Sequence, residues 1–391
     1  MIIKRLISKK LKSSAKQYPV VLVTGPRQSG KTTLCRYIFP NKPYVSLEDP
    51  DNRQFAKEDP KGFLERYSEG AVFDEIQRVP ILLSYIQCIV DERKRNGLYI
   101  LTGSQNLLLL NTVQQTLAGR VALLKLLPFS TSEITSKINK FSLEKILYTG
   151  FFPRLFDQKI NPTSLMSNYV DTYVQRDVRD ILDVKSLSLF QKFLKICAGR
   201  IGQILNLTSI GNDLGVSHST IREWLSVLEA SYIVYLLQPY YANIKKRLVR
   251  SPKIYFTDVG LACYLLGITN KDQVARDPLL GSLFENFVIM EIIKYYYANA
   301  QNPPISFFRD NVGNEVDLII EKARNLIAIE IKAGKTFSAD WFKGLDYIDS
   351  IKGCNVLARS IVYGGSGDYK RQGFNIFGFK NVTKLYDILG K

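Results

Sequence analysis

The sequence predicts an α/β protein whose first third forms a core of alternating strands and helices and whose remainder forms two smaller domains joined to it by a helical segment. Three patterns lead to this prediction. Apolar runs of strand length alternate with helical stretches over residues 1–140, a helix-turn-helix pattern lies in the middle, and a helix precedes two apolar strands near the end. With 391 residues, 46% of them hydrophobic, the chain is long enough to bury such cores.

The first element is an apolar strand, Val20 to Thr24, that runs into a glycine-rich loop and a helix start. The spacing fits G-x-x-x-x-G-K-[ST], in which backbone N–H groups and a helix N-terminus surround a triphosphate. An ordinary glycine turn is disfavoured because spacing, residue types and flanking elements agree. Lys31 is expected to reach the outer phosphates of ATP, and Thr32 to hold Mg²⁺. The predicted cofactor-binding residues are Gly25, Pro26, Arg27, Gln28, Ser29, Gly30, Lys31, Thr32 and Thr33.

A second apolar strand, Ala71 to Phe73, ends in two adjacent carboxylates, Asp74 and Glu75. Beside a phosphate loop, the first acid is expected to hold Mg²⁺, usually through water, and the second to polarise the attacking water. Two acids after a strand are also typical of a solvated turn. The prediction therefore depends on the phosphate loop upstream.

Two further stretches supply candidates for the hydrolytic step. The run from Tyr99 ends in small polar residues, of which Ser104 or Gln105 is expected to sense the terminal phosphate or to orient the water. Arg120 precedes the next apolar strand and is a candidate for a charge-stabilising finger, delivered from a neighbour to the transferred phosphoryl group. A salt-bridged surface arginine is an equally acceptable interpretation of Arg120.

Together these segments resemble a family of prokaryotic AAA-type P-loop ATPases that carry a C-terminal domain of uncharacterised function. The resemblance rests on Gly25 to Thr33, Phe73 to Gln77, Leu101 to Gln105 and Leu117 to Arg120, and it covers most of the chain. It implies an AAA-type core in which the first three of these stretches are Walker A, Walker B and sensor 1. It also adds weight to Arg120 as the finger.

A formal net charge of +17 indicates a polyanionic partner, either nucleic acid or an anionic membrane surface. The alternative is that the many lysines only reflect the biased composition of the genome. Ile2 to Tyr18 predicts an amphipathic basic helix, either an arm for such a partner or, as favoured, a helix packed on the nucleotide domain. No run approaches the ~20 apolar residues of a membrane-spanning helix, and the N-terminus lacks the features of a signal peptide. A cytoplasmic protein without a membrane span is expected.

Residues 141–195 resemble the helical lid that follows the nucleotide core in this family. Arg176 and Arg179 in this region are either second phosphate sensors or, as is commoner for helical arginines beside acids, members of surface ion pairs.

Residues 196–270 predict a winged helix. A short helix ends at Gly215, Ser217 caps a second helix, and two strands then flank a basic turn. In the DNA-binding interpretation, a groove is faced by His218, Ser219 and Arg222, and phosphates are contacted by Lys245, Lys246 and Arg247. The alternative is an interdomain packing module. Glu223 favours this alternative, because its carboxylate on the second helix would repel DNA phosphates. The basic turn and the total charge favour DNA.

Residues 271–391 predict a helix followed by a strand hairpin, with acids and a lysine at defined positions. The pattern resembles the PD-(D/E)xK nuclease superfamily, and its positions fall on Glu285, Asp317, Glu330 and Lys332. Two carboxylates there would hold Mg²⁺ beside a lysine that orients water. The alternative is a restriction-endonuclease-like fold used for binding, with the acids paired to nearby lysines.

The sequence therefore predicts a Mg²⁺-dependent ATP-binding protein or ATPase that acts on or near DNA. Two alternatives stay open: an ATP-gated, metal-dependent nuclease, and a nucleotide-switched oligomeric binding protein without significant turnover. A homo-oligomer is compatible with each of them.

Overall fold

The computed structural model describes residues 2–104, 113, 115–174, 187–240 and 251–390. Its first part is a five-stranded sheet with flanking helices. The elements are α1 (Ser8–Gln17), β1 (Val20–Thr24), α2 (Lys31–Ile38), β2 (Tyr44–Ser46), α3 (Pro50–Glu58), α4 (Pro60–Glu65), β3 (Ala71–Asp74), α5 (Leu82–Arg93), β4 (Tyr99–Gly103) and β5 (Val121–Lys125). The predicted strands are confirmed. Helix α1 is shorter than predicted, because it begins at Ser8 rather than Ile2.

All pairings in this sheet are parallel, and the strand order is β2-β3-β4-β1-β5. Every residue of β1, β3 and β4 is buried, which explains why their sequences are continuous apolar runs rather than alternating ones. Parallel strands share one carboxyl edge. The loops that follow β1, β3 and β4 therefore open together, and they carry the glycine-rich stretch, Glu75 and Ser104.

The middle of the chain is mainly helical. Its elements are α6 (Thr135–Ile138), α7 (Leu143–Thr149), α8 (Pro153–Asp157), α9 (Pro162–Tyr169), α10 (Leu187–Gly199), α11 (Leu207–Leu214), α12 (His218–Ala230), β6 (Val234–Leu237), β7 (Lys253–Phe256), α13 (Val259–Leu265) and α14 (Lys271–Val274). As predicted, α11 ends at Gly215, with φ of +68°, and the Ser217 hydroxyl caps α12 by accepting from Thr220 N at 3.1 Å.

Strands β6 and β7 pair in antiparallel fashion after the two helices, in the predicted order. Some of the predicted residues lie outside the described part of the chain. They are Gln105, Arg176, Arg179, and Lys245, Lys246 and Arg247 of the basic turn.

The last part of the chain builds a second sheet against a long helix. Its elements are α15 (Leu280–Ala298), β8 (Ile305–Arg309), β9 (Glu315–Lys322), β10 (Asn325–Lys332), α16 (Lys343–Ser350), β11 (Val356–Tyr363), β12 (Tyr369–Arg371), β13 (Phe374–Gly378) and α17 (Leu385–Gly390). The strand order is β12-β13-β11-β10-β9-β8, with β9 antiparallel and β11 parallel to β10. The predicted helix and two strands are confirmed.

Helix α15 joins the C-terminal sheet to the rest of the molecule. One cluster of buried apolar side chains runs from Leu127 to Leu385 and includes residues of α7, α12 and α15. Thr131, just beyond the nucleotide sheet, donates from N and Oγ1 to Glu291 Oε2 at 2.8 and 2.6 Å. Lys294 Nζ donates to Phe129 O at 2.8 Å. The C-terminal part is therefore packed on the nucleotide domain, not tethered to it.

None of the described helices combines the length and the apolar character needed to cross a bilayer.

Candidate functional site

The loop between β1 and α2 depends on two glycines. Gly30 has φ of +91° and Gly25 has φ of +153°, in a region that side chains rarely adopt. A Cβ on Gly25 would lie 2.0 Å from the carbonyl oxygen of Leu126. The loop therefore requires glycine at position 25 and strongly favours it at position 30, in agreement with the phosphate-loop motif.

Lys31 begins α2 and folds back over the loop. Its Nζ donates to Gly25 O at 3.0 Å and to Pro26 O at 2.9 Å, and the side chain is buried. The positive charge is thereby held within the turn of the loop, where it lies close enough to Glu75 to affect that carboxylate.

Thr32 and Asp74, the predicted metal pair, lie in direct contact. Thr32 Oγ1 donates to the two carboxylate oxygens of Asp74 at 3.1 and 3.0 Å. Asp74 also accepts from Tyr44 OH at 2.7 Å and from Thr102 Oγ1. A hydroxyl and a carboxylate are oxygen donors of the kind that Mg²⁺ takes together with water and phosphate, so these residues fit the predicted ion.

Tyr44 and Thr102 were missed by sequence reasoning. Thr102 lies on β4, beside β3, and Tyr44 lies on β2, on the other side of β3. They could be identified only from the strand order, because β2 and β4 pair with β3 on its two sides and bring Tyr44 and Thr102 next to Asp74.

Glu75, the predicted water-polarising residue, follows β3 with φ of +58°. It accepts from Ser104 Oγ at 3.3 Å and from Gln77 Nε2, and Gln77 Nε2 also donates to Ser104 Oγ at 2.9 Å. Burial alone would raise the pKa of Glu75, but the charge of Lys31 and the hydrogen bond from Gln77 lower it on balance. Glu75 is therefore an ionised acceptor at neutral pH, and Ser104 lies beside it.

Arg120 lies at the opposite edge of the sheet. Its Nε and Nη2 donate to Asp91, the latter at 2.8 Å, and its carbonyl oxygen accepts from Val20 N, at the amino end of β1. The five residues of β1 span about 17 Å, farther than an arginine side chain reaches. In this chain Arg120 is thus a surface ion-pair member, and a finger role is open to it only on the site of a neighbouring copy.

Arg154, on α8, shares the open pocket over the phosphate loop with Arg27, Lys31 and Glu75. It is exposed, and its Nε donates to Gln158 Oε1 at 3.2 Å. Arg154 was not singled out in the sequence analysis. Its signal is weak, an arginine directly after the proline that begins a helix.

A second cavity of about 220 Å³ lies on the other side of the loop. It is lined largely by apolar groups of the N-terminal segment, α2 and the stretches that follow β5, including Ile3, Leu34, Tyr37, Phe129 and Pro153. Its position beside Gly30 places apolar surface next to the phosphate loop.

Arg5 contacts the phosphate loop and lines the apolar cavity beside it. It was not singled out in the sequence analysis. Its guanidinium donates to Ser29 O at 2.8 Å, to Leu127 O at 2.6 Å and to Glu133 at 3.0 Å. This buried contact draws residues 2–7 onto the loop, which explains why α1 starts late.

The C-terminal acids are also brought together. Lys332 Nζ lies 2.5 Å from Glu330 Oε1 and 3.5 Å from Asp317 Oδ2, and Ile331 N donates to Asp317 Oδ2 at 2.8 Å. Burial, and then the charge of Asp317, raise the pKa of Glu330 to about 8.

Glu285 is held by residues of β7 instead. Its Oε1 accepts from Lys253 Nζ at 3.0 Å and from Tyr255 OH at 2.5 Å, and Lys253 Nζ lies 2.5 Å from Glu315 Oε1. Lys253 is buried and was missed, since a lone lysine at a strand start carries no sequence signal.

In this structure the acids of the C-terminal site are paired with lysines. The ammonium groups of Lys253 and Lys332 contact the carboxylates, and within the described ranges no three acidic, His or Cys side chains are grouped to hold a metal. The geometry matches the alternative in which the acids pair with nearby lysines, and it gives the cleavage hypothesis no support.

Three family models match the chain. An AAA domain matches residues 17–135, a domain of unknown function (DUF8612) matches residues 140–272, and another (DUF4143) matches residues 280–382. The AAA match covers the sheet that carries the glycine-rich loop, so this part is an ATPase-type nucleotide-binding domain.

Relatives extend over most of the chain. The uncharacterized protein Rv2008c of Mycobacterium tuberculosis is 30% identical over 341 residues, which are 86% of this chain and 75% of that protein. An uncharacterized protein of Haemophilus influenzae is 25% identical over 247 residues, 59% of this chain and 58% of that one. Among solved structures, the Walker-type ATPase PABY2304 of Pyrococcus abyssi is 16% identical with a TM-score of 0.46, covering 68% of this chain and 96% of its own.

Proposed function

The chain belongs to the same family as the mycobacterial protein Rv2008c and carries an AAA domain, and from this premise we propose that it is a Mg²⁺-dependent ATPase. The observation that carries the proposal is the meeting of Lys31, Thr32, Asp74 and Glu75 at one edge of the sheet. A phosphate cradle, a pair of oxygen ligands and an ionised acceptor are the parts that hydrolysis of a phosphoanhydride needs.

Each residue has a distinct task in this proposal. Lys31 and the backbone N–H groups of the loop from Arg27 to Thr33 bind the phosphates, and Thr32 and Asp74 hold Mg²⁺. The ion, when bound, neutralises charge on the phosphate oxygens. Tyr44 and Thr102 fix Asp74 by hydrogen bonds, so its carboxylate does not need to reorganise on binding.

Glu75 accepts a proton from the attacking water. Ser104 and Gln77 hold one oxygen of the Glu75 carboxylate and thereby orient it. Arg154 enters the same pocket from α8 and is placed to contact the phosphates when the lid closes over them. The apolar cavity beside Gly30 receives the base of the nucleotide.

Two substitutions test this function. Lys31→Ala is expected to abolish ATP binding, and Glu75→Gln is expected to retain binding but lose turnover, since it removes the proton acceptor while keeping the shape. Binding is measured with a fluorescent ATP analogue and turnover by phosphate release, with and without Mg²⁺. Glu65→Gln, an exposed acid on α4 outside the pocket, serves as the control. Unchanged turnover in both test variants would refute the assignment, and binding without phosphate release in the wild type would favour a nucleotide switch.

We further propose that the protein acts on or near DNA through α12. His218, Ser219 and Arg222 are exposed at the start of this helix. Two residues beyond the other end of α12, Tyr232 contacts the nucleotide site. Its OH lies 2.9 Å from Thr24 Oγ1, next to Gly25. Arg222→Ala is expected to weaken DNA binding measured by fluorescence anisotropy, and equal affinities of variant and wild type would count against α12.

A further inference from the structure

The N-terminal segment has a one-sided charge. The first 47 residues contain ten Lys or Arg side chains and no Asp or Glu. Arg5 and Lys31 are buried at the nucleotide site, but five lysines on or just before α1 are exposed: Lys4, Lys9, Lys10, Lys12 and Lys16. Like charges this close repel one another, so their clustering costs stability unless an anion meets them.

Three of these lysines share one face of α1. Lys9, Lys12 and Lys16 follow at intervals of three and four residues, which brings them onto one side of a helix. The opposite side carries Ile7 and Leu11, with exposures of 2% and 0%. No described carboxylate lies within ion-pair distance of the three lysines.

The basic surface continues onto the end of α5. Asn96 Nδ2 donates to Lys16 O at 2.9 Å and Gly97 N donates to Tyr18 O at 2.8 Å, which places the turn of Arg93, Lys94 and Arg95 beside the end of α1. Arg95 is paired with Glu69 at 2.7 Å, whereas Lys94 is exposed beside it. Lys16 and Lys94 precede β1 and β4, so this surface reaches the amino edge of the sheet, away from the phosphate loop.

The burial of α1 distinguishes between nucleic acid and an anionic membrane surface as the partner. A membrane-surface helix inserts its apolar side into lipid, but here that side is already packed against the nucleotide domain. Only the lysine face is left for a partner. From Lys9 to Lys16 the helix rises about 10 Å, the axial length of about three phosphates of one DNA strand.

We propose that the lysine face of α1, extended by Lys94, is a binding surface for the phosphate backbone of nucleic acid. This surface is separate from α12 and from the ATP site. Because it contacts phosphates and not base edges, it binds without sequence preference and with a strong dependence on salt.

The test uses the full chain and fluorescein-labelled oligonucleotides of 30 nucleotides, single-stranded or duplex. The variant Lys9→Gln/Lys12→Gln/Lys16→Gln removes three charges and keeps most of each side-chain stem. Anisotropy titrations over a series of KCl concentrations are expected to show a salt slope smaller by about 2–3 than in the wild type, and an affinity at least ~10-fold lower at the lowest salt.

A matched variant, Lys192→Gln/Lys195→Gln/Lys352→Gln, removes three exposed charges elsewhere and is expected to keep the wild-type slope. An unchanged slope in the α1 variant, an equal loss in the matched variant, or binding to phosphatidylserine vesicles but not to oligonucleotides would overturn the proposal. ATP turnover is measured on the same samples. Since none of the substituted lysines lines the ATP site, loss of DNA affinity supports the α1 surface whether or not the wild type hydrolyses ATP.

Discussion

Replacing Lys253 by methionine removes the positive charge that joins β7 to the C-terminal sheet. The Lys253 side chain is 3% exposed, and its Nζ lies 3.0 Å from Glu285 and 2.5 Å from Glu315. Methionine keeps most of the stem but leaves both carboxylates without this partner. Removing one member of a buried ion pair costs about 3–5 kcal/mol, because a buried charge is left uncompensated.

The loss is expected to depend on pH. Burial, and then the charge of Asp317, raise the pKa of Glu285 to about 7, and removing Lys253 takes away a charge that lowers it. A carboxyl whose pKa is higher in the folded than in the unfolded state binds more protons when folded, so the folded state gains stability as pH falls. Glu285 can therefore relieve the defect by taking up a proton more fully at pH 6 than at pH 8.5.

Differential scanning calorimetry at the two pH values measures this effect. A loss of ~4 kcal/mol corresponds to a fall in Tm of about 8–16 °C for a cooperative unit of ~150–250 residues. The matched control is Lys343→Met, an exposed lysine paired with an exposed Asp340, for which little change is expected. A fall in Tm below ~3 °C at pH 8.5, or equal falls at both pH values, would refute the reasoning.

Three further predictions concern the nucleotide domain. Gly30→Ala is expected to weaken ATP binding and to lower stability by about 1–2 kcal/mol, because φ of +91° strains a side chain; nucleotide titration and urea unfolding check it. Tyr232→Phe removes the hydrogen bond to Thr24 and is expected to cost about 1 kcal/mol in urea unfolding, whereas Thr24→Ser should retain it. Arg120→Ala is expected to leave ATP binding intact and to slow phosphate release only at protein concentrations where copies associate, so a loss independent of concentration would contradict its placement.

The features that the sequence predicts correctly have local signals. The spacing of Gly25, Gly30 and Lys31 requires the loop, the apolar runs match the buried strands, and Ser217 caps the helix that follows it. In each case the residues that determine the structure are a few positions apart.

The features that were missed depend on contacts between distant parts of the chain. Thr102 meets Asp74 across 28 positions, Lys253 meets Glu285 across 32, and Arg5 meets Glu133 across 128. Such partners follow only from strand order and helix packing, which no local pattern contains. The same holds for Glu285, whose position on a helix was predicted but whose pairing with β7 was not.

The packing of α15 sets the smallest piece of this chain that can be produced alone. Phe287 stacks on Phe151 with ring centroids 5.7 Å apart, so a chain ending at residue 270 would expose the apolar surface around Phe151, and a fragment beginning at residue 271 would expose α15. Neither cut gives a closed core.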